Sequence, residues 1–227
     1  MYICTMAYLL HIETSSNCCS VALSKDADLI GVLEEVQPNT HAASLPLFIQ
    51  QLLAENKLGS ADIAAVAVSI GPGSYTGLRV GLSLAKGFCM VNRIPLITIS
   101  SLRMMAQGLK ELYPSYTGDF VPLVDARRME VYTAQYDKNV SEIKSEYAYV
   151  VQEDAWSESA TQYLFAGSGA AKVQQFLGTR PNHQFDLSNN VNSARFLCKL
   201  AFEKFAKSDF SDLAYAEPLY LKEFGKN

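Results

Sequence analysis

The sequence predicts an α/β protein built from two related halves, each a mixed sheet flanked by helices. Three observations carry this. Up to Leu112 the chain reads as three strands, then helix, strand, helix, strand, helix: a meander followed by strand–helix alternation. After Pro114 that pattern partly restarts. The chain's 227 residues, 49% hydrophobic and 19% charged, leave room for one large or two small domains. At this length a core forms without disulfides or metal. We place the division near residues 110–118, giving domains 1–112 and 113–227.

Each element has its own signal. Tyr8–Thr14 is apolar and ends in the polar cluster Glu13–Asn17; Cys19–Ser24 and Leu29–Val36 follow, separated by the turn Lys25–Asp28. From His41 to Asn56 the period changes, with Leu45, Phe48, Ile49, Leu52 and Leu53 on one helical stripe and Gly59 as the stop. Pro46 is tolerated only near that helix's start, with Ser44 as N-cap, unless the helix begins earlier and kinks. Ala64–Ile70 lacks polar alternation, as a strand covered on both faces should. A helix to about Val91 follows the loop Gly71–Gly77, then a strand at Pro95–Ile99 and a helix at Ser101–Leu112. In the second half, Phe120–Val124 and Val131–Tyr136 form a hairpin, with Tyr147–Val151 as a third strand. A short helix near Glu153–Glu158, a strand at Tyr163–Ala166 and a helix to Leu177 come next. Gly178–Asn192 reads as a long loop, Ser193–Lys207 as an amphipathic helix, and Glu217–Leu221 as a docked, extended tail.

Composition narrows the function. Nineteen basic against 23 acidic residues give a net charge of −4, which argues against broad electrostatic binding of nucleic acid. Any RNA is held by another protein. Five cysteines (Cys4, Cys18, Cys19, Cys89, Cys198) without a CxxC pair fit buried thiols in a reducing compartment. No signal peptide or membrane-length apolar run is present, so the expected location is the cytoplasm. Met6 is a second candidate start beside Met1.

Four motifs hold candidate chemistry. Glu13-Thr14-Ser15, where the first hairpin begins, can turn hydroxyls and backbone N–H groups toward a phosphate, or be a polar turn. Gly71-Pro72-Gly73-Ser74-Tyr75-Thr76-Gly77 opens a helix with unpaired N–H groups that suit an anion, yet it is neither GxGxxG nor a P-loop. Asp125-Ala126-Arg127-Arg128 reads as a salt-bridged surface turn. Gly167-Ser168-Gly169-Ala170 is a compact turn through which an adenine and ribose can pass. The helix after the second motif presents Gly77, Gly81 and Ala85 on one face. Such glycines cost about 1 kcal/mol each relative to alanine and so need a packing reason. Taken alone, the spacing favours close packing on the chain's own sheet over packing on a partner helix. Catalytic sets are thin. His11, His41 and His183 are far apart, HExxH is missing, and no GxSxG elbow exists.

The ordered set ETSS…SVAL, HAASLPLFIQQLL, SIGPGSYTGLRVGLSLAKG, DARRMEVY and AEPLYL resembles the bacterial TsaB (YeaZ) family from about Leu9 to Leu221. The resemblance implies the actin-like ATPase-domain (ASKHA) fold with two RNase-H-like halves. It also implies a part in making threonylcarbamoyladenosine (t6A) on tRNA. There the protein pairs with its catalytic paralogue TsaD, of the glycoprotease superfamily, and the ATPase TsaE joins them. The two metal-binding histidines of TsaD fall at Ser101 and Met105, and its glycine-rich phosphate hairpin at Asp125–Arg128. The expected function is therefore a non-catalytic subunit that binds and activates TsaD, with no catalytic residue and no metal. It requires no cofactor, although weak ATP or ADP binding by Glu13, Thr14, Ser15, Gly167 and Gly169 is allowed. Glu13 departs from the family's usual Asp by one methylene. The partner surface implied is the helix pair His41–Asn56 and Thr76–Val91, through Leu45, Phe48, Gly77, Leu78, Gly81, Leu82 and Ala85. On that reading, Gly81→Leu weakens TsaD binding without unfolding the chain, and the lone protein can pair with itself. The alternative is an ATP-dependent kinase or metallopeptidase of the same fold.

Overall fold

The computed structural model describes residues 6–36 and 41–222; Cys4 and the first start, Met1, lie outside them. Two five-stranded sheets form, and they share one topology. In the first, β1 (Tyr8–Glu13), β2 (Cys18–Lys25) and β3 (Asp28–Val36) make the meander, and β4 (Ile63–Ser69) and β5 (Leu96–Ile99) add parallel strands, in the order β3-β2-β1-β4-β5. In the second, β6 (Asp119–Asp125), β7 (Glu130–Tyr136) and β8 (Glu142–Val150) form the meander. Here β9 (Tyr163–Ala166) and β10 (His183–Asp186) run parallel to β6, in the order β10-β9-β6-β7-β8.

Helices α1 (His41–Glu55) and α2 (Tyr75–Asn92) connect strands of the first sheet, and α4 (Ala170–Leu177) connects β9 to β10. The helix that follows the fifth strand is exchanged between the halves. α3 (Ser101–Leu112) packs on β6, β7 and β9, whereas α5 (Cys198–Ala206) packs on β1, β2, β3 and β5. Two compact units result. Among the described residues, one holds the chain up to Ser100 and again from Ser193 to Pro218; the other holds Ser101–Asn192 and 219–222. The single boundary expected near residue 112 is thus replaced by crossings after Ser100, Asn192 and Pro218. Local periodicity cannot reveal this, because an amphipathic helix does not encode which sheet it covers.

The first core joins Leu10, Ile12 and Val21 of the sheet to Leu45, Ile49 and Leu52 of α1 and Leu82, Ala85 and Cys89 of α2. The second gathers Val121, Leu123, Val131, Trp156, Phe165 and Val173. Other sequence expectations shift locally. Ser44 lies inside α1 and donates to the Glu35 carboxylate of β3 (2.6 Å). Residues 153–156 form turns instead of a helix, and β8 begins at Glu142, since an edge strand with polar residues facing water shows no apolar alternation. β10 lies in the expected loop because its four residues include a single apolar side chain, Phe185. Four cysteines (18, 19, 89, 198) are buried and unbridged; burial pushes the Cys19 thiol up to about 12 and that of Cys89 to about 11. No described helix is long and apolar enough to cross a membrane.

Candidate functional site

The end of β1 is where the candidate nucleotide residues of the first half meet. Glu13, Thr14 and Ser15 are all buried. The Glu13 carboxylate accepts the backbone N–H of Ser15 (2.6 Å) and its hydroxyl, closing a turn on itself. Burial pushes the Glu13 carboxyl above the usual carboxylate range, against the pull of the Ser15 bonds. The Thr14 hydroxyl donates to the Gly77 carbonyl at 2.8 Å. Next along the turn, the His41 ring donates from Nε2 to the Ser16 carbonyl (2.8 Å), tying the first turn of α1 to the same place. The start of α2 is capped from within: Ser74 Oγ accepts the Gly77 N–H (3.2 Å), and Ser74 donates its own N–H to the Ser15 carbonyl (2.6 Å). These groups, read from the sequence as phosphate-facing, work as a three-way joint between β1, α1 and α2.

That joint explains the glycine row. A methyl placed on Gly73 would sit 2.3 Å from the Ser15 carbonyl oxygen, one on Gly77 2.1 Å from the Thr14 carbonyl oxygen, and one on Gly81 2.3 Å from Thr14 Oγ1. The small face of α2 therefore lies against the chain's own first strand. Gly77, Leu78, Gly81, Leu82 and Ala85 are buried, as is Leu45 of α1, and Phe48 is half-buried against the same core. This corrects the interface assignment: those residues face inward, because Thr14 leaves no room for a Cβ where α2 crosses β1. The expectation that Gly81→Leu spares folding falls with it.

In the second half, Asp125, Arg127 and Arg128 form the β6–β7 turn. The cation beside Asp125 is Lys172 of α4, which bridges the Asp125 carboxylate and the carbonyls of Arg128 (3.0 Å) and Glu130. Partial burial works to raise the Asp125 pKa, but Lys172 and the Arg127 N–H hold it below the ordinary range. Arg127 and Arg128 are both left-handed, with φ of 69° and 46°, a conformation that disfavours a Cβ. We expect Arg128→Gly to stabilise the protein by about 1 kcal/mol, seen as a higher urea midpoint at unchanged slope. Gly167 (φ 103°) is held between Met105 and the Leu123 carbonyl, and Gly169 donates its N–H to that carbonyl at 3.0 Å. Ser168 Oγ accepts the Asp125 N–H (3.0 Å). The glycines thus serve close strand–helix packing at this turn. Ser101 and Met105 are fully buried on α3. Among the described residues no group of three His, Cys, Asp or Glu side chains is gathered for a metal.

The outward surface of α1 and α2 is of a different kind. Its exposed residues are Ala42, Ala43, Pro46, Leu47, Gln50, Gln51, Ala54 and Glu55 on α1, and Tyr75, Thr76, Arg79, Ser83, Gly87, Met90 and Val91 on α2. Only Glu55 and Arg79 carry charge, and the Arg79 guanidinium lies over the Tyr75 ring (3.8 Å). Leu47 is 62% exposed and Val91 82%. Depletion of charge combined with exposed aliphatic side chains marks an interface core. Gly87 belongs to this surface, and a methyl there would meet open space. The sequence signal for it is position: Gly87 is a helical glycine off the Gly77–Gly81–Ala85 row.

Two halves of one strand order, each a meander extended by parallel strands, are shared with distant solved structures. The activator of 2-hydroxyisocaproyl-CoA dehydratase from Clostridium difficile, solved with bound ADPNP, superposes with a TM-score of 0.52 at 11% identity, covering 90% of this chain and 98% of that one. The fold is that of the actin-like ATPase domains. Nearer relatives refine this. Residues 18–217 match the family model described as TsaD, tRNA N6-adenosine threonylcarbamoyltransferase. The tRNA threonylcarbamoyladenosine biosynthesis protein TsaB of Haemophilus influenzae is 30% identical, covering 94% of this chain and 93% of the relative. YeaZ from Pseudomonas aeruginosa superposes with a TM-score of 0.84 at 28% identity, covering 95% of this chain and all of that one. The chain belongs to the TsaB (YeaZ) family.

Proposed function

We propose that this chain serves t6A biosynthesis on tRNA as a non-catalytic subunit, docking on a TsaD-type paralogue through the outward surface of α1 and α2 and thereby activating it. The observation that carries the reading is the charge-poor exposed face of the helix pair, where a methyl on Gly87 would meet open space among the described residues. The relatives' names support the pathway. The internal use of the Thr14 and Ser15 hydroxyls supports a docking role over turnover at this junction. On this reading the subunit needs no cofactor, reaches tRNA and a TsaE-type ATPase through the complex, works in the cytoplasm, and pairs with a second copy when alone.

Mixing the chain with the TsaD of its own organism and measuring mass in solution tests this. A one-to-one complex is expected. Gly87→Arg adds bulk and charge where the free chain has space, so its fold persists by circular dichroism while affinity falls at least about tenfold. Absence of a complex, or robust ATP turnover by the lone chain, overturns the reading.

A further inference from the structure

We infer that the docking surface has a third element beyond the two helices: the strap 209–217, with Tyr215 as its anchoring side chain. The inference rests on the docking reading above and extends it to a segment with no regular secondary structure.

After α5 the chain crosses the open edge of β5. Ser211 donates its N–H to the Leu96 carbonyl (2.8 Å), and its hydroxyl meets Thr98 Oγ1 at 2.7 Å and accepts the Thr98 N–H at 3.2 Å. The strap thus closes an edge that would otherwise offer unpaired backbone groups. Leu213 and Ala216 then pack against the first core. Asp212 Oδ1 accepts the N–H groups of Ala214 (2.8 Å) and Tyr215 (3.1 Å), and the Ala216 N–H returns to the Asp212 carbonyl (2.9 Å). From α2, the Lys86 ammonium donates to the carbonyls of Ala214 (3.1 Å) and Ala216 (2.8 Å).

Tyr215 is therefore fastened at both neighbours while its side chain stands 83% exposed. A large aromatic on an immobilised backbone is a costly thing to leave in water, and it loses little freedom when a partner covers it. Its place is telling. Gly77 of α2 faces His41 of α1, whereas Lys86, nine residues on, lies half a helical turn around from Gly77. The strap consequently flanks α2 on the side away from α1, and Met90, exposed one turn beyond Lys86, extends the charge-poor surface toward it. The occupant this geometry fits is the same one the helices receive, the TsaD-type paralogue, because the strap is tied to α2 and continues its surface. Tyrosine is one of the residues enriched among interface hot spots.

Calorimetric titration of the paralogue with wild type, Gly87→Arg, Tyr215→Ala, Tyr215→Phe and Lys86→Met tests this. Tyr215→Ala should bind about tenfold more weakly at unchanged melting temperature, and Tyr215→Phe should stay within about threefold of wild type. Lys86→Met, which frees the strap, should also weaken binding. If Tyr215→Ala binds like wild type while Gly87→Arg is impaired, the strap is not part of the surface and the helix-pair reading stands. If wild type itself does not bind, the docking reading fails and takes this inference with it.

Discussion

Gly77→Ala is expected to destabilise the first half by about 3 kcal/mol or more, whereas Gly87→Ala, ten residues along the same helix, is expected to stabilise it by about 1 kcal/mol. Both substitutions gain the same helix propensity. At Gly77 that gain is overwhelmed, since the new methyl would stand 2.1 Å from the Thr14 carbonyl oxygen and the joint cannot yield without moving β1 or α2. The Thr14 hydroxyl bond to the Gly77 carbonyl (2.8 Å) would be displaced with it. At Gly87 nothing lies within reach. Urea unfolding of the two variants reads the difference. Equal midpoints for Gly77→Ala and wild type would show that α2 does not bear on β1 as described. Gly81→Leu should follow Gly77→Ala and lose its fold before its partner, the reverse of the expectation drawn from sequence.

His11 should contribute a loss of stability in acid that begins well before ordinary carboxylates titrate. This side chain is fully buried in β1, where its Nε2–H donates to Ser24 Oγ (2.8 Å) while the Ser24 hydroxyl donates to the Asp26 carbonyl (2.9 Å). Protonation would place a second N–H at Nδ1, which is buried and has no acceptor. Burial accordingly lowers the His11 pKa from 6.5 to about 3. The unfolded chain takes up the proton first, so stability is complete above pH 6.5 and falls as pH drops toward 3. The loss amounts to about 2 kcal/mol by pH 5 and about 4 kcal/mol by pH 3. Glu13 acts in the opposite sense: its raised pKa gives stability at low pH that is lost as pH rises above the unfolded value of 4.5. Glu13 is common to both proteins, so between pH 4 and 7 the urea midpoint of wild type should rise with pH relative to that of His11→Asn. An unchanged pH slope in His11→Asn would remove the assignment.

The legibility of the site was uneven for definite reasons. Glu13-Thr14-Ser15 and the Gly71–Gly77 loop were singled out from composition and do meet in space, at the joint of β1 with α1 and α2. Their use was not legible, since a hydroxyl at a strand end serves a phosphate or a neighbouring carbonyl equally well until the distance is known. Lys172 as the partner of Asp125 had no sequence signal; the contact spans 47 residues and depends on α4 lying over the β6–β7 turn. Leu47 and Val91 carry no sequence signal, because helical periodicity ranks the buried stripe, and an uncharged outer face becomes visible only once the inward face is fixed.

By itself the sequence determined the two meander-plus-crossover halves, the order of nearly every strand and helix, and the family, because alternation, helical stripes and ordered motifs are local properties. Tertiary structure alone decided that α3 and α5 change halves, that the glycine row belongs to β1, and that the strap seals β5. Each of these turns on which of two compatible surfaces an element meets. That choice is made by steric fit between residues far apart in the chain, and Thr14 against Gly77 and Gly81 is the plainest instance.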